Sequence, residues 1–257
     1  MTNITPRLFV IGCSFSDLCR VDRCYGDYLA ELLDLEYKHL ARGVTSNDRM
    51  WRVLTKHILD GTITSDDIVV LQYTEFSRRE FASYGHNYED YFNPESSTYD
   101  GPNEKFTGSL RKDDVYFVSH FKADSYTWQA NDCDKEIHNA YQKNCAVYEF
   151  DVDYFHTRHR QFEALCELHN IKLVIFWTDY PPLSVTDIDT VIGEYGRENL
   201  LLERTYLADL TQAERDGLVL GYNGGDPEIW DSSHLNDSGH RLTAKHIAEH
   251  IRNKGLI

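Results

Sequence analysis

The chain lacks any excess of positive charge. Its 257 residues carry 26 Lys plus Arg against 42 Asp plus Glu, a formal net charge of −16. That balance excludes a broad phosphate-binding surface, and so argues against a nucleic-acid partner and against docking on anionic lipid. A local basic pocket stays compatible with it, because net charge says little about one cleft. Long apolar runs are also missing. The densest, such as Leu173–Trp177, are far too short to span a bilayer, and the mean hydropathy is −0.52. The first residues, MTNITPRLFVIG, have no basic stretch followed by a long apolar one, so no secretory signal is expected. The six cysteines, at 13, 19, 24, 133, 145 and 166, form no C-x-x-C and no ligand-like pairing with histidine. They read as free thiols in a reducing compartment, with the cytoplasm as the expected location. Repeats and low-complexity segments are absent.

What is present alternates between strand and helix patterns. Residues 7–12 (RLFVIG) form a short β-branched run ending at Gly12, the pattern of a buried strand that stops at a loop. Residues 25–34 place Tyr28, Leu29, Leu32 and Leu33 on one helical face, and 35–41 suit a second strand. Ser46-Asn47-Asp48 is a helix N-cap region, followed by Met50, Val53, Leu54, His57 and Ile58 at helical spacing. IVVLQY after Asp67 is a third strand, 141–169 a long helix, and 171–177 a fourth strand. Residues 201–210 stay ambiguous between strand and helix, and a helix from about Asp237 to Asn253 closes the chain. Alternation of this kind predicts a parallel sheet covered on both faces, with its ligand at the carboxyl ends of the strands. Functional residues are therefore expected just after Val10, His39, Leu71 and Phe176. Residues 83–140, rich in Tyr, Asn, Asp, Gly and Ser, are too long for an ordinary connection and read as an insertion: a lid over that edge, or a packed decoration.

Three separated segments make one pattern: two directly follow strands and the third precedes the last helix. They are Gly12-Cys13-Ser14-Phe15-Ser16-Asp17, Ala41-Arg42-Gly43-Val44-Thr45-Ser46-Asn47-Asp48, and Asp231-Ser232-Ser233-His234 running on to His240. A serine hydroxyl needs a base to become a nucleophile, and a carboxylate fixes the tautomer of a histidine base. Asp231 and His234 lie three apart, so one tight turn aims both the same way. The N–H groups of Ser14 and Gly43 suit an oxyanion hole, and the glycine allows close approach of the backbone.

GCSFSD, ARGVTSND and DSSHLNDSGH resemble the first, second and fifth sequence blocks of the SGNH (GDSL-like) hydrolases. The resemblance spans nearly the whole chain except 83–140. It implies a three-layer α/β/α sandwich around a flavodoxin-like parallel sheet of about five strands, in one domain covering 1–257, with 83–140 as a long irregular insertion. It further implies Ser14 as nucleophile, His234 as general base, Asp231 as its orienting acid and the Gly43 N–H as an oxyanion donor, with no cofactor. The family's third block usually supplies an asparagine to the oxyanion hole. Here Leu71-Gln72-Tyr73-Thr74-Glu75-Phe76-Ser77-Arg78-Arg79-Glu80 contains none. Thr74 or Glu75 takes the matching place; a threonine hydroxyl can donate there and an ionised glutamate cannot. Asn47 or Arg78 are alternative donors, and Arg78 with Glu75 are candidates for substrate binding.

The implied reaction is removal of a small acyl group, acetyl by preference, from a carbohydrate or small polar metabolite. The alternatives are O-acyl transfer by the same triad and a non-catalytic binding role on the same scaffold. Asp17 reads as a cap or a supporting group, and His240 as a packing or capping residue at the start of the last helix. No metal site is expected: His156 with His159, and His246 with His250, share helix faces without a third ligand near in sequence.

Overall fold

The computed structural model describes residues 6–13, 16–17, 21–41, 46–74, 79–82, 116–119, 148–177, 200–202 and 235–257. In chain order the elements are β1 (Arg7–Ile11), α1 (Tyr25–Leu33), β2 (Glu36–His39), α2 (Asn47–Leu59), β3 (Ile68–Tyr73), β4 (Arg79–Ala82), β5 (Tyr116–Ser119), α3 (Tyr148–Leu168), β6 (Lys172–Trp177), β7 (Leu200–Leu202) and α4 (Asp237–Asn253).

Five strands form one sheet in the order β2-β1-β3-β6-β7, and every neighbouring pair is parallel. Leaving aside the β4–β5 pair, this is the 2-1-3-4-5 order of flavodoxin-like folds. The alternation of side chains builds two cores. Leu8, Val10, Ile68, Val70 and Val174 face α1 and α4, where Leu29, Ala244, Ile247 and Ile251 cover them. Phe9, Ile11, Val69, Leu71 and Ile175 face α2 and α3, against Met50, Leu54, Phe155 and Phe162. A sheet buried on both sides explains why β3 reads as a continuous apolar run, with no polar face. The three-layer α/β/α expectation is therefore the observed architecture.

Local signals set several boundaries. The Ser46 hydroxyl accepts from Arg49 N (3.4 Å) and caps α2. The α1 helix stops at Asp34, whose φ of 54° lies in the left-handed region, and β2 follows two residues later. The Asn236 side chain accepts from Gly239 N (3.0 Å) and caps α4.

Two features differ from the sequence reading. β4 and β5 pair antiparallel in register Arg79↔Ser119 to Ala82↔Tyr116, so a regular strand lies within the insertion that composition marks as irregular. Within the ambiguous segment after residue 200, Leu200–Leu202 is a strand against β6, too short for a period to be read from sequence. The described part of the long helix begins at Tyr148, and 141–147 lie outside the described residues. Among the described residues, no helix is long and apolar enough to cross a membrane.

Candidate active site

The strand order reverses direction at β1, which has β2 on one side and β3 on the other. A crevice opens outside the carboxyl ends of the strands at such a switch point. The chain leaves β1 through Gly12 and Cys13, leaves β3 at Thr74 and leaves β2 at Leu40. Ser14, Gly43, Glu75, Arg78, Asp231 and His234 lie outside the described residues, whereas Asn47 and Thr74 lie within them. What the structure places is the set of side chains flanking each predicted segment, and these are joined to one another.

The first segment is tied to the end of β3. Gln72 is fully buried at the end of β3. Its Oε1 accepts from Ser16 Oγ (2.6 Å) and from Cys13 N (3.3 Å), while its Nε2 donates to Tyr73 O (3.1 Å). Ser16 N donates to Cys13 O (2.9 Å). Gly12 is required by this close approach: a Cβ there would meet Ser16 Oγ and lie 2.6 Å from Gln72 Oε1.

The second segment is tied to the end of β3 as well. Asn47, in the first turn of α2 and only 2% exposed, donates from Nδ2 to Thr74 O (3.0 Å) and accepts at Oδ1 from Thr74 N (3.0 Å). A side-chain amide here pairs with the chain leaving β3 as a neighbouring strand would. Of the two described oxyanion candidates, Asn47 thus supports Thr74 through its backbone. Tyr73 is fixed on the opposite face of β3: Trp51 Nε1 donates to its hydroxyl (2.9 Å), which bonds His159 Nδ1 (2.8 Å). His159 is a buried core histidine with Nε2 3.3 Å from a Glu163 carboxylate oxygen, and His246 lies 3.9 Å from Glu249. Among the described residues, no three His, Cys, Asp or Glu side chains gather as a metal site.

The first segment also meets the end of β2, the strand that leads into the second. Asp17 Oδ1 lies 3.2 Å from His39 Nε2, and His39 Nδ1 lies 2.7 Å from the Tyr37 hydroxyl. Burial works against a charge on His39. The hydrogen bond to Asp17 and the nearby Cys24 sulfur more than offset it, and the ring's pKa is pushed up to about 9. His39 is therefore an imidazolium at neutral pH, donating through both nitrogens.

The last segment is anchored through α1. Tyr25 N donates to His240 Nδ1 (3.1 Å), and the Tyr25 hydroxyl bonds Ser16 Oγ (2.8 Å). An accepting Nδ1 puts the ring proton of His240 on Nε2. This histidine caps α1, not the start of its own helix, because it satisfies an N–H that the first turn of α1 leaves unpaired. The Tyr28 hydroxyl donates to Asp237, which also pairs with Arg241 (2.7 Å), fixing the start of α4 just after the Asp231–His234 segment.

His39, Gln72 and Tyr25 were missed in sequence as functional positions. A signal existed for two of them: Gln72 is the lone polar residue in an apolar strand, and His39 is the last residue of β2.

No family profile and no curated protein matches the chain. Several solved structures are similar to it. Protein YXIM of Bacillus subtilis is 12% identical with a TM-score of 0.46, covering 98% of this chain and 57% of its own. A protein of Slackia heliotrinireducens described as an SGNH hydrolase is 14% identical with a TM-score of 0.40, covering 96% of this chain and 100% of its own. The acetyl xylan esterase Est2A of Butyrivibrio proteoclasticus is 13% identical with a TM-score of 0.38, covering 98% of this chain and 65% of its own. The chain thus spans just over half the length of the first. At these identities and scores the likenesses carry no argument about activity.

Proposed function

We propose that the chain is a serine esterase acting at the carboxyl edge of its sheet, in one domain covering 1–257 with 83–140 as an insertion that borders the site. The observation behind this reading is the convergence of four segments at the switch point: the flanks of Ser14, of Gly43, of Thr74 and of the Asp231–His234 turn are joined by Gln72, Asn47, the Asp17–His39 pair and Tyr25–His240. Each of these buried or half-buried polar side chains is hydrogen-bonded to a segment that flanks a chemical candidate.

In the proposed reaction His234 takes the Ser14 hydroxyl proton as Oγ attacks the ester carbonyl. Asp231 orients the imidazole and stabilises its charged form. The oxyanion is met by the Ser14 and Gly43 N–H groups and by the Thr74 hydroxyl, with Asn47 holding Thr74. The intermediate collapses as His234 passes its proton to the leaving alcohol, and an acyl-enzyme remains. Water, deprotonated by His234, then releases the acid. Arg78 and Glu75 are assigned to substrate binding. The substrate class is a small acyl ester, acetyl by preference, of a carbohydrate or other polar alcohol. A reducing, cytoplasmic setting accords with Cys13, Cys24 and Cys166 being free and buried.

The test is hydrolysis of acetyl esters by the wild-type chain and by Ser14→Ala and His234→Ala. Activity in the wild type, with a loss of about 10⁴-fold or more in each variant, supports the reading. Unchanged hydrolysis by Ser14→Ala contradicts it.

A further inference from the structure

Asp17 and His39 stand at the stems of two different loops. Asp17 closes the first segment, three residues after Ser14, and His39 ends β2, four residues before Gly43. Their pairing is not needed to join the strands. β1 and β2 are already in register from Arg7↔Glu36 to Val10↔His39, and Leu40 N donates to Val10 O (2.8 Å) past the last pair. The side chains add a link beyond the backbone ladder, between the last residue of β2 and the chain that has left β1. The Asp17 side chain is 8% exposed and that of His39 24%, so solvent screens the pair little.

On the esterase reading, on which this inference rests, the two loops carry the two backbone donors of the oxyanion hole. We propose that the Asp17–His39 ion pair is a positioning device for that hole, with His39 as the residue that sets the separation of the Ser14 and Gly43 donors. Each donor lies only three or four residues from the pair, a reach of at most about 10–14 Å of extended chain. Oxyanion donors act within a few tenths of an ångström of about 2.9 Å from the developing charge, and a misplacement of about 1 Å costs about 10²-fold in rate. Loss of the pair therefore lowers kcat and leaves ground-state binding nearly unchanged.

The device depends on pH through groups that the structure identifies. Among the described residues His39 faces Asp17 from the first loop, Tyr37 from its own strand and Cys24 from the start of α1, and Asp27 in turn bonds Cys24. The Cys24 sulfur lies 3.3 Å from the Tyr37 hydroxyl and 3.4 Å from Asp27 Oδ2. The imidazolium donates to Asp17 and to Tyr37, whose hydroxyl is left to donate to Cys24, so each hydrogen bond in the chain has one donor. The folded pKa is raised, so the pair is fully formed below the unfolded histidine value of about 6.5 and is lost as pH rises through about 9.

The experiment measures kcat and KM for p-nitrophenyl acetate from about pH 6 to about pH 10.5 in the full-length wild type, His39→Gln, His39→Arg and Asp17→Asn, with thermal unfolding and fluorophosphonate labelling of Ser14 in parallel. The wild type is expected to lose kcat with an apparent pKa near 9. His39→Gln and Asp17→Asn are expected to lose about 10- to 100-fold in kcat with KM changed less than about 3-fold, and to lack the alkaline limb. His39→Arg keeps a permanent cation, so it recovers most of kcat and stays flat to the alkaline end. If the wild type hydrolyses the ester and labels at Ser14 while His39→Gln keeps both its kcat and the alkaline limb, the inference is overturned and the esterase reading stands. A wild type with neither turnover nor an adduct at Ser14 overturns both. Should His39→Gln fail to fold, His39→Arg, Asp17→Asn and an NMR titration of the wild-type ring decide: a midpoint near 9 supports the pair, and one at or below about 7 overturns it.

Discussion

The two edges of one sheet use buried polar groups in opposite ways. At the amino edge, the fully buried Asp67 closes a gap between β1 and β3. Its Oδ1 accepts from Arg7 N (3.1 Å) and Nε (2.9 Å); its Oδ2 accepts from an Arg7 terminal nitrogen (2.7 Å) and from Thr64 N (2.9 Å) and Oγ1 (3.1 Å). Both oxygens are engaged by groups within the strands and the turn between Thr64 and Asp67. At the carboxyl edge, Gln72, Ser16, Asn47 and Asp17 are buried as deeply or nearly so and His39 is partly exposed, but they bind chain segments at the ends of the strands. The first arrangement seals and the second aims. Burial of polar groups alone does not mark a site; what they bind does.

The contrast breaks most sharply at Ser14. Ser14→Ala is expected to cost about 10⁴-fold or more in turnover while the unfolding temperature stays within about a degree of wild type, as measured by ester hydrolysis beside calorimetry. Next comes the amino edge. Arg7→Ala leaves the Asp67 carboxylate buried without its main partner and is expected to cost about 3 kcal/mol in denaturant unfolding, with kcat unchanged wherever the protein stays folded. A fall in kcat matching that at the carboxyl edge would erase the distinction. Smaller again is Gly12→Ala. Its new Cβ would press on Ser16 and Gln72, so about 1–3 kcal/mol of stability is lost and kcat falls with it. The smallest effect is expected for Tyr28→Phe, which removes one bond to the half-exposed Asp237 and costs about 0.5–1 kcal/mol.

The edges also differ in the pH at which they fail. Burial alone would raise the Asp67 carboxyl, but the hydrogen bonds from Arg7 and Thr64 hold it below its ordinary value. Its contribution is present above about pH 4 and is lost as pH falls through the lowered pKa. The His39 contribution, at most about 3 kcal/mol for a shift of this size, is lost on the alkaline side through about 9. Stability measured across pH should therefore decline at both ends, with Arg7→Ala removing part of the acid limb and His39→Gln part of the alkaline one.

Where sequence signals were local, the fold was legible. The apolar runs of β1, β3 and β6, the Ser46 cap and the helical spacing of α1, α2 and α4 placed those elements within a residue or two. The order of the strands followed from the resemblance and not from any local pattern. Pairings across long separations were out of reach. Gln72 meets Ser16 from 56 residues away, and His240 caps a helix that starts 215 residues earlier. The β4–β5 ribbon joins two four-residue strands across a stretch with no periodicity to mark either. Asn47 shows the same limit on a single side chain: its type and its place in the second segment suggested an oxyanion donor, and only the fold reveals that its amide bonds the backbone of Thr74.

Intact-mass spectrometry of the wild type and of Ser14→Ala after treatment with a fluorophosphonate tests the central claim most directly. One phosphonyl adduct on the wild type, absent from the variant, is the result expected for an activated serine at the carboxyl edge. An unmodified wild type that is fully folded and is equally inert to smaller sulfonyl fluorides would contradict it.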